Sequence, residues 1–282
     1  MALAKHMDYH LHTAVTVDGN MSELEACERA MALGIQEIAF TNHVMLNQSD
    51  YLIAPDAFIR HWENIQACQA RYPNIRIRLG IEMDYYPGRE GEIRKKIQFY
   101  EGLINRSFDL VLGSIHDIHG GFFSNKAVAV GFFEMRDLVT TYREYYQLAA
   151  CAAQSKLFDI MAHPDLIKKY TYLLTSPVPW ESYADQIEAY IKELISNGVG
   201  IEINTKGLKL PVQETYPSDQ FLERYLARAK ELGNDPIITV GSDAHKAQDV
   251  GYGISGVIQT LQKYQVSMLT SFSHREKSAF PI

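Results

Sequence analysis

Pro236-Ile237-Ile238-Thr239-Val240-Gly241-Ser242-Asp243-Ala244-His245 is the stretch on which the reading of the whole chain depends. Its first half is apolar and β-branched and lies between proline and glycine, as a short buried strand does. Its second half sets an acid and an imidazole two residues apart just where the chain leaves that strand. The same arrangement recurs upstream. Short apolar runs end in Asp8-Tyr9-His10-Leu11-His12, Thr41-Asn42-His43, Glu82-Met83-Asp84, His116, His163-Pro164-Asp165 and Asn204.

The strands are read at 5–11, 35–40, 75–81, 108–115, 158–162, 199–203 and 236–240. Helical signals fill the intervals. Ser22 and Glu25 make a capping box for a helix that stops at Gly34. Pro55 opens a second helix ending near Tyr72, with Pro73 beyond it. Further helices are expected over 89–105, 127–156, 181–197, 218–232 and 256–264, with a last apolar segment at 266–272. Seven strand–helix units alternate without a linker or repeat. That pattern predicts an α/β chain folded as one parallel barrel rather than separate domains. Functional residues of such barrels gather at the C-terminal ends of the strands, where these acids and histidines fall.

The chain has 282 residues and is 46% hydrophobic, ample for one barrel-sized core. A formal charge of −7 without a basic run argues against binding long nucleic acid or an anionic membrane surface. No apolar stretch approaches the roughly 18 residues of a membrane span. Cys27, Cys68 and Cys151 are widely separated and outside metal-finger spacing, as expected of reduced thiols in a cytoplasmic protein. Residues 1–6 are too short for a signal peptide and are read as an appended remnant. The domain is therefore taken as 7–282, and His6 is given no role.

The candidate ligands are His10, His12, Asp18, His43, Glu82, His116, His163, Asp243 and His245. His10 and His12 share one face of a strand, because side chains alternate along it. Each of the others has a plainer reading. Asp18, before Gly19, suits a turn; Asp243 suits a helix N-cap; a single histidine at a strand end is often just hydrogen-bonded. Together they are harder to dismiss, since six of the ten histidines fall just beyond strands. Of the rest, His61 is read as structural within its helix, His274 as part of a polar tail, and His119 as a loop residue that could line the pocket. Imidazole with carboxylate suits zinc, iron or manganese better than calcium or magnesium. Nine ligands exceed one tetrahedral ion and suit two or three divalent transition-metal ions.

These motifs, with Gly80-Ile81-Glu82 and Gly113-Ser114-Ile115-His116, resemble those of the PHP (polymerase and histidinol phosphatase) superfamily, and most of all its histidinol-phosphatase branch. The resemblance implies a distorted (β/α)7 barrel with a trinuclear metal site. It implies one ion held by His10, His12, Glu82 and Asp243. A second shares Glu82 and adds His116 and His163, and a third takes Asp18, His43 and His245. The branch also implies arginine in the segments after His163 and Asn204. Here the cations are Lys168, Lys169, Lys206 and Lys209, which can bind a phosphate as point charges without the bidentate fork.

The expected reaction is hydrolysis of a small phosphate monoester, L-histidinol phosphate above others, in histidine biosynthesis. A metal-bridging hydroxide would attack phosphorus in line. His119 and Asp165 are the candidate proton donors to the leaving alkoxide. Three other readings share these residues: a phosphodiesterase, nuclease or nucleotide phosphatase; an amidohydrolase-like metal hydrolase; and a metal-stabilised module without turnover. The second commonly uses a metal-bridging lysine, and no lysine stands at a strand end here.

Overall fold

Strands buried on both faces must satisfy their backbone by parallel pairing and cover each face with helices or side chains. The chain does this in a computed structural model that describes residues 6–173 and 177–282. In order, the elements are β1 (Met7–Leu11), α1 (Glu23–Leu33), β2 (Glu37–Phe40), β3 (His43–Val44), α2 (Pro55–Arg71), β4 (Arg76–Asp84), α3 (Glu90–Ile104) and β5 (Leu110–Ser114). They continue with α4 (Lys126–Glu134), α5 (Leu138–Gln154), β6 (Ile160–Met161), α6 (Ala184–Asn197), β7 (Gly200–Asn204), α7 (Asp219–Glu231), β8 (Ile238–Gly241) and α8 (Ile254–Lys263). The chain ends in β9 (Met268–Ser273) and β10 (Glu276–Pro281).

The strand order is β1-β2-β4-β5-β6-β7-β8, with β3 extending the partnership of β4. Every pairing in that series is parallel. The two ends of the series then meet. Leu11 bridges Ala244 in parallel, through His12 N–H to Ala244 O at 2.9 Å and Ala244 N–H to His10 O at 3.2 Å. The buried carboxylate of Asp8 strengthens the junction. It accepts from Ser242 N–H at 2.8 Å, Ser242 Oγ at 2.6 Å and Gly251 N–H at 2.8 Å. The result is a nearly closed (β/α)7 barrel, as the alternation predicts.

The local helix signals act as expected. Ser22 and Glu25 form the capping box, and Gly34 ends α1 in the left-handed conformation. Pro55 stands at the first helical position of α2. Two segments differ from expectation. The region 127–156 holds two helices, because Asp137 accepts from Thr140 N–H at 2.8 Å and starts α5 anew. The apolar segment 266–272 is largely β9, paired antiparallel with β10. This hairpin covers the N-terminal ends of the barrel strands. Phe272 N–H donates to Tyr9 Oη of β1 at 3.0 Å, Ser271 Oγ to Glu37 Oε1 of β2 at 2.7 Å, and His274 N–H to Asp109 Oδ1 before β5 at 3.2 Å.

The reading of residues 1–6 as an appendage falls, for 1–5, outside the described residues. His6 is described: its N–H donates to Gln36 Oε1 at 2.7 Å, away from the candidate ligands. Cys27 and Cys68 are buried and Cys151 partly so, all as free thiols. No helix among the described residues is long and apolar enough to cross a membrane.

Candidate metal centre

Glu82, at the C-terminal end of β4, is fully buried and stands at the middle of the cluster. Its Oε2 lies 3.1 Å from His10 Nε2, 3.5 Å from His12 Nε2 and 2.8 Å from His43 Nδ1. Its Oε1 lies 2.8 Å from His163 Nε2 and 3.7 Å from His116 Nε2, and also accepts from Ser114 Oγ. Five imidazoles thus surround one carboxylate. Asp18 Oδ2 lies 3.3 Å from His43 Nε2 and 3.2 Å from His245 Nε2. Asp243 Oδ1 lies 3.6 Å from His12 Nε2 and 3.3 Å from His245 Nδ1. All nine candidate ligands therefore converge on the C-terminal mouth of the barrel. Three sets of donor atoms lie within 4.8 Å of one another: His12, His43 and His245; His10, His12 and Asp243; and His43, Glu82 and His116.

The donor chemistry fits cations. Both nitrogens of His12, Nδ1 of His43, Nδ1 of His163 and Oδ1 of Asp18 are buried without a hydrogen-bond partner. Such groups are rare in proteins, and each costs about 1–3 kcal/mol. His43 Nδ1 and Glu82 Oε2 are close yet not aligned as donor and acceptor, as two ligands of a common centre would be. The His12 ring stacks at 4.2 Å on both His43 and His245. Burial, then the charges of His245 and His43, hold His12 well below its ordinary pKa, which favours the neutral ring that a metal ligand needs. Burial alone would raise Glu82, but His43 and His10 keep its carboxyl well below the usual range. Burial would lower His43, yet Glu82 and Asp18 raise it to about 10. A cation bound among these groups would take the place of protons on the imidazoles.

Residues that sequence reasoning passed over orient the candidate ligands. Asp84 accepts from His116 Nδ1 at 2.7 Å, and Glu202 from His10 Nδ1 at 2.8 Å, each leaving Nε2 free to face the cluster. Both carry a legible signal. Asp84 lies two residues after Glu82, and Glu202 is an acid inside the apolar run Gly200-Ile201-Glu202-Ile203-Asn204. His61 is structural, as expected: it is buried between Glu23 and Asn42. Asn42 in turn accepts from Thr13 N–H at 2.7 Å, beside His12.

The candidate phosphate-binding lysines divide. Lys206 Nζ reaches the cluster, 2.7 Å from Asp243 O and 3.2 Å from His245 Nδ1. Lys169 Nζ donates to Ser124 O at 3.1 Å; burial lowers its pKa while the charge of Asp243 raises it. Lys168 is taken up by Asp165, Glu214 and Thr215 O, and Lys209 by Asp249. Of the candidate proton donors, Asp165 is buried, with Oδ2 accepting from Ser218 N–H at 2.8 Å and Oδ1 unpartnered. His119 is exposed and lies 3.7 Å from Glu144 rather than among the ligands. Tyr51 packs edge-on to His43 at 5.3 Å and Phe122 to His116 at 6.1 Å, giving the mouth an aromatic rim.

Residues 8–206 match the PHP domain family. The chain belongs to that family. Curated relatives match it along nearly all its length. A probable histidinol-phosphatase of Deinococcus radiodurans is 30% identical over 273 residues, 95% of this chain and 97% of that one. The histidinol-phosphatase of Lactococcus lactis is 25% identical over 278 residues, 95% of each chain. A solved structure of histidinol phosphate phosphatase from Lactococcus lactis, complexed with zinc, L-histidinol and phosphate, superposes with a TM-score of 0.80. That superposition covers 98% of this chain and 99% of the other at 23% identity, a likeness of fold.

Proposed function

We propose that this PHP-family chain is a metal-dependent phosphatase that hydrolyses L-histidinol phosphate to L-histidinol and phosphate. The observation that carries the reading is the ring of five imidazoles around Glu82, flanked by Asp18 and Asp243, in a barrel that its named relatives match end to end. Two or three zinc, iron or manganese ions would be held there. His10, His12, Glu82 and Asp243 would hold the first; Glu82, His116 and His163 the second; Asp18, His43 and His245 the third. Asp243 and His245, neighbours on one strand end, would serve different ions. When bound, such ions acidify a coordinated water and offset charge on phosphoryl oxygens.

The chain's own residues supply the rest. Ser114 fixes the orientation of Glu82 through its hydrogen bond to Oε1. Lys206 and Lys169 present cations beside the cluster for the phosphate. Lys168 and Lys209, already engaged, serve instead to hold the segments that carry them. Asp165 is the better donor of a proton to the leaving alkoxide. Burial pushes its carboxyl up against the pull of Lys168, so it keeps its proton longer than an exposed acid.

The test is bound-metal analysis together with turnover of L-histidinol phosphate, other monoesters, a mononucleotide and a phosphodiester, with and without chelator. The expected result is bound transition metal and a chelator-sensitive rate highest on L-histidinol phosphate. A chain without transition metal, or with equal turnover after its removal, would refute the metal mechanism. Preference for another ester would keep the mechanism and discard the substrate.

A further inference from the structure

Glu202 lies in the middle of β7, fully buried, and its two oxygens are shared among three parts of the centre. Oε1 accepts from His10 Nδ1 at 2.8 Å. Oε2 accepts from the His163 backbone N–H at 3.0 Å and from Asn204 Nδ2 at 3.0 Å. A third strand makes room for this carboxylate. A Cβ on Gly241 would stand 2.0 Å from Glu202 Oε1 and 2.5 Å from His10 Cβ, so no side chain fits there. His163 also has φ of +31°, a region that L residues seldom enter. Its N–H bond to Glu202 helps hold it in that conformation.

We propose that Glu202 is a positioning residue that couples two metal subsites, orienting the His10 ring through one oxygen and the His163 backbone through the other. The proposal rests on the reading above that these histidines hold metal. A carboxylate that takes the Nδ1–H of His10 leaves Nε2 as the lone-pair donor, and Nε2 is the atom 3.1 Å from Glu82. Among the described residues, the other hydrogen-bonding neighbour of Nδ1 cannot make this choice. Asn204 presents its Nδ2, a donor, at 3.5 Å, and its amide orientation is fixed because Oδ1 accepts from Lys206 N–H at 3.0 Å. Replacing Glu202 by glutamine keeps shape and volume but turns one acceptor into a donor. That donor would face either His10 Nδ1 or the His163 and Asn204 N–H groups. A carboxylate that only filled the barrel would tolerate the change.

The experiment compares zinc retention by wild type and Glu202→Gln across graded zinc–chelator buffers, with circular dichroism and hydrodynamic size recorded at saturating zinc. Glu202→Gln should bind more than one ion per chain about 10–100-fold more weakly, with wild-type spectrum and size when saturated. Unchanged retention in a folded variant overturns the coupling and leaves the phosphatase reading standing. A wild type that retains none of zinc, iron or manganese in such buffers overturns both. Should the variant not fold, long-range 1H–15N NMR of the wild-type zinc form decides. A His10 proton on Nδ1 supports the proposal, and a proton on Nε2 refutes it.

Discussion

Glu82 is surrounded by histidines delivered from β1, β3 and the ends of β5 and β6, so its role depends on groups distant in sequence. Except for Asp18, which lies in a loop, the candidate ligands were nonetheless legible, because each stands at the end of an apolar run that can be recognised locally. The division among the candidate phosphate-binding lysines was not. Lys168, Lys169, Lys206 and Lys209 look alike in sequence, and only tertiary partners separate them. Lys206→Ala is expected to raise KM for the monoester about 10-fold or more, since a hydrogen bond to a charged group contributes about 1.5–3 kcal/mol. Lys209→Ala, which removes a cation already paired with Asp249, should leave KM within a factor of about 2, as surface pairs contribute little. Steady-state kinetics on the two variants check the division, and equal effects would contradict it.

The Glu23–His61–Asn42 chain gives a pH test at the same scale. Burial alone would raise the Glu23 carboxyl, but the hydrogen bond and charge of His61 hold it below its ordinary 4.5. The stability this contributes is present above pH 4.5 and lost as pH falls through the lower folded value. Glu23→Gln should therefore flatten the fall in melting temperature on acidification below that pH. An unchanged acid slope would show that the pair is not coupled to folding.

Among elements, the helix break between α4 and α5 was invisible because 127–156 contains no proline to mark it. What divides it is a cap. Asp137→Ala removes the acceptor for Thr140 N–H and should destabilise the chain by about 1 kcal/mol, read as a lower urea midpoint with an unchanged m-value. The terminal hairpin was half legible for a related reason. β9 is mostly buried, whereas β10 is exposed along most of its length and buries only Phe280, so it carries no strand pattern of its own. Its partner and the barrel floor create it.

For the whole molecule, alternation of strand and helix was enough to predict a parallel barrel, while the means of closing it was not. That closure uses Asp8, whose acceptor role toward Ser242 and Gly251 no local pattern announces. The centre at the barrel mouth holds buried nitrogens and a carboxylate oxygen without hydrogen-bond partners, groups that bound cations would satisfy. Chelation should therefore lower the melting temperature, and zinc should restore it in proportion to the logarithm of its free concentration. A site saturated 1,000-fold above its Kd contributes about 4 kcal/mol. Scanning calorimetry at stepped zinc activity measures this; a melting temperature indifferent to chelator would mean that the ions, if bound, do not discriminate folded from unfolded chain.

The closing contact between Ser242 and Asp8 spans 234 residues of chain. During synthesis at about 5–20 residues per second, on the order of 10–50 s separate the appearance of the two partners. Throughout that interval a nascent chain displays His10, His12 and His43 without Asp243 or His245 to complete the set. The full set of candidate ligands is therefore present only once the chain has been extended past His245.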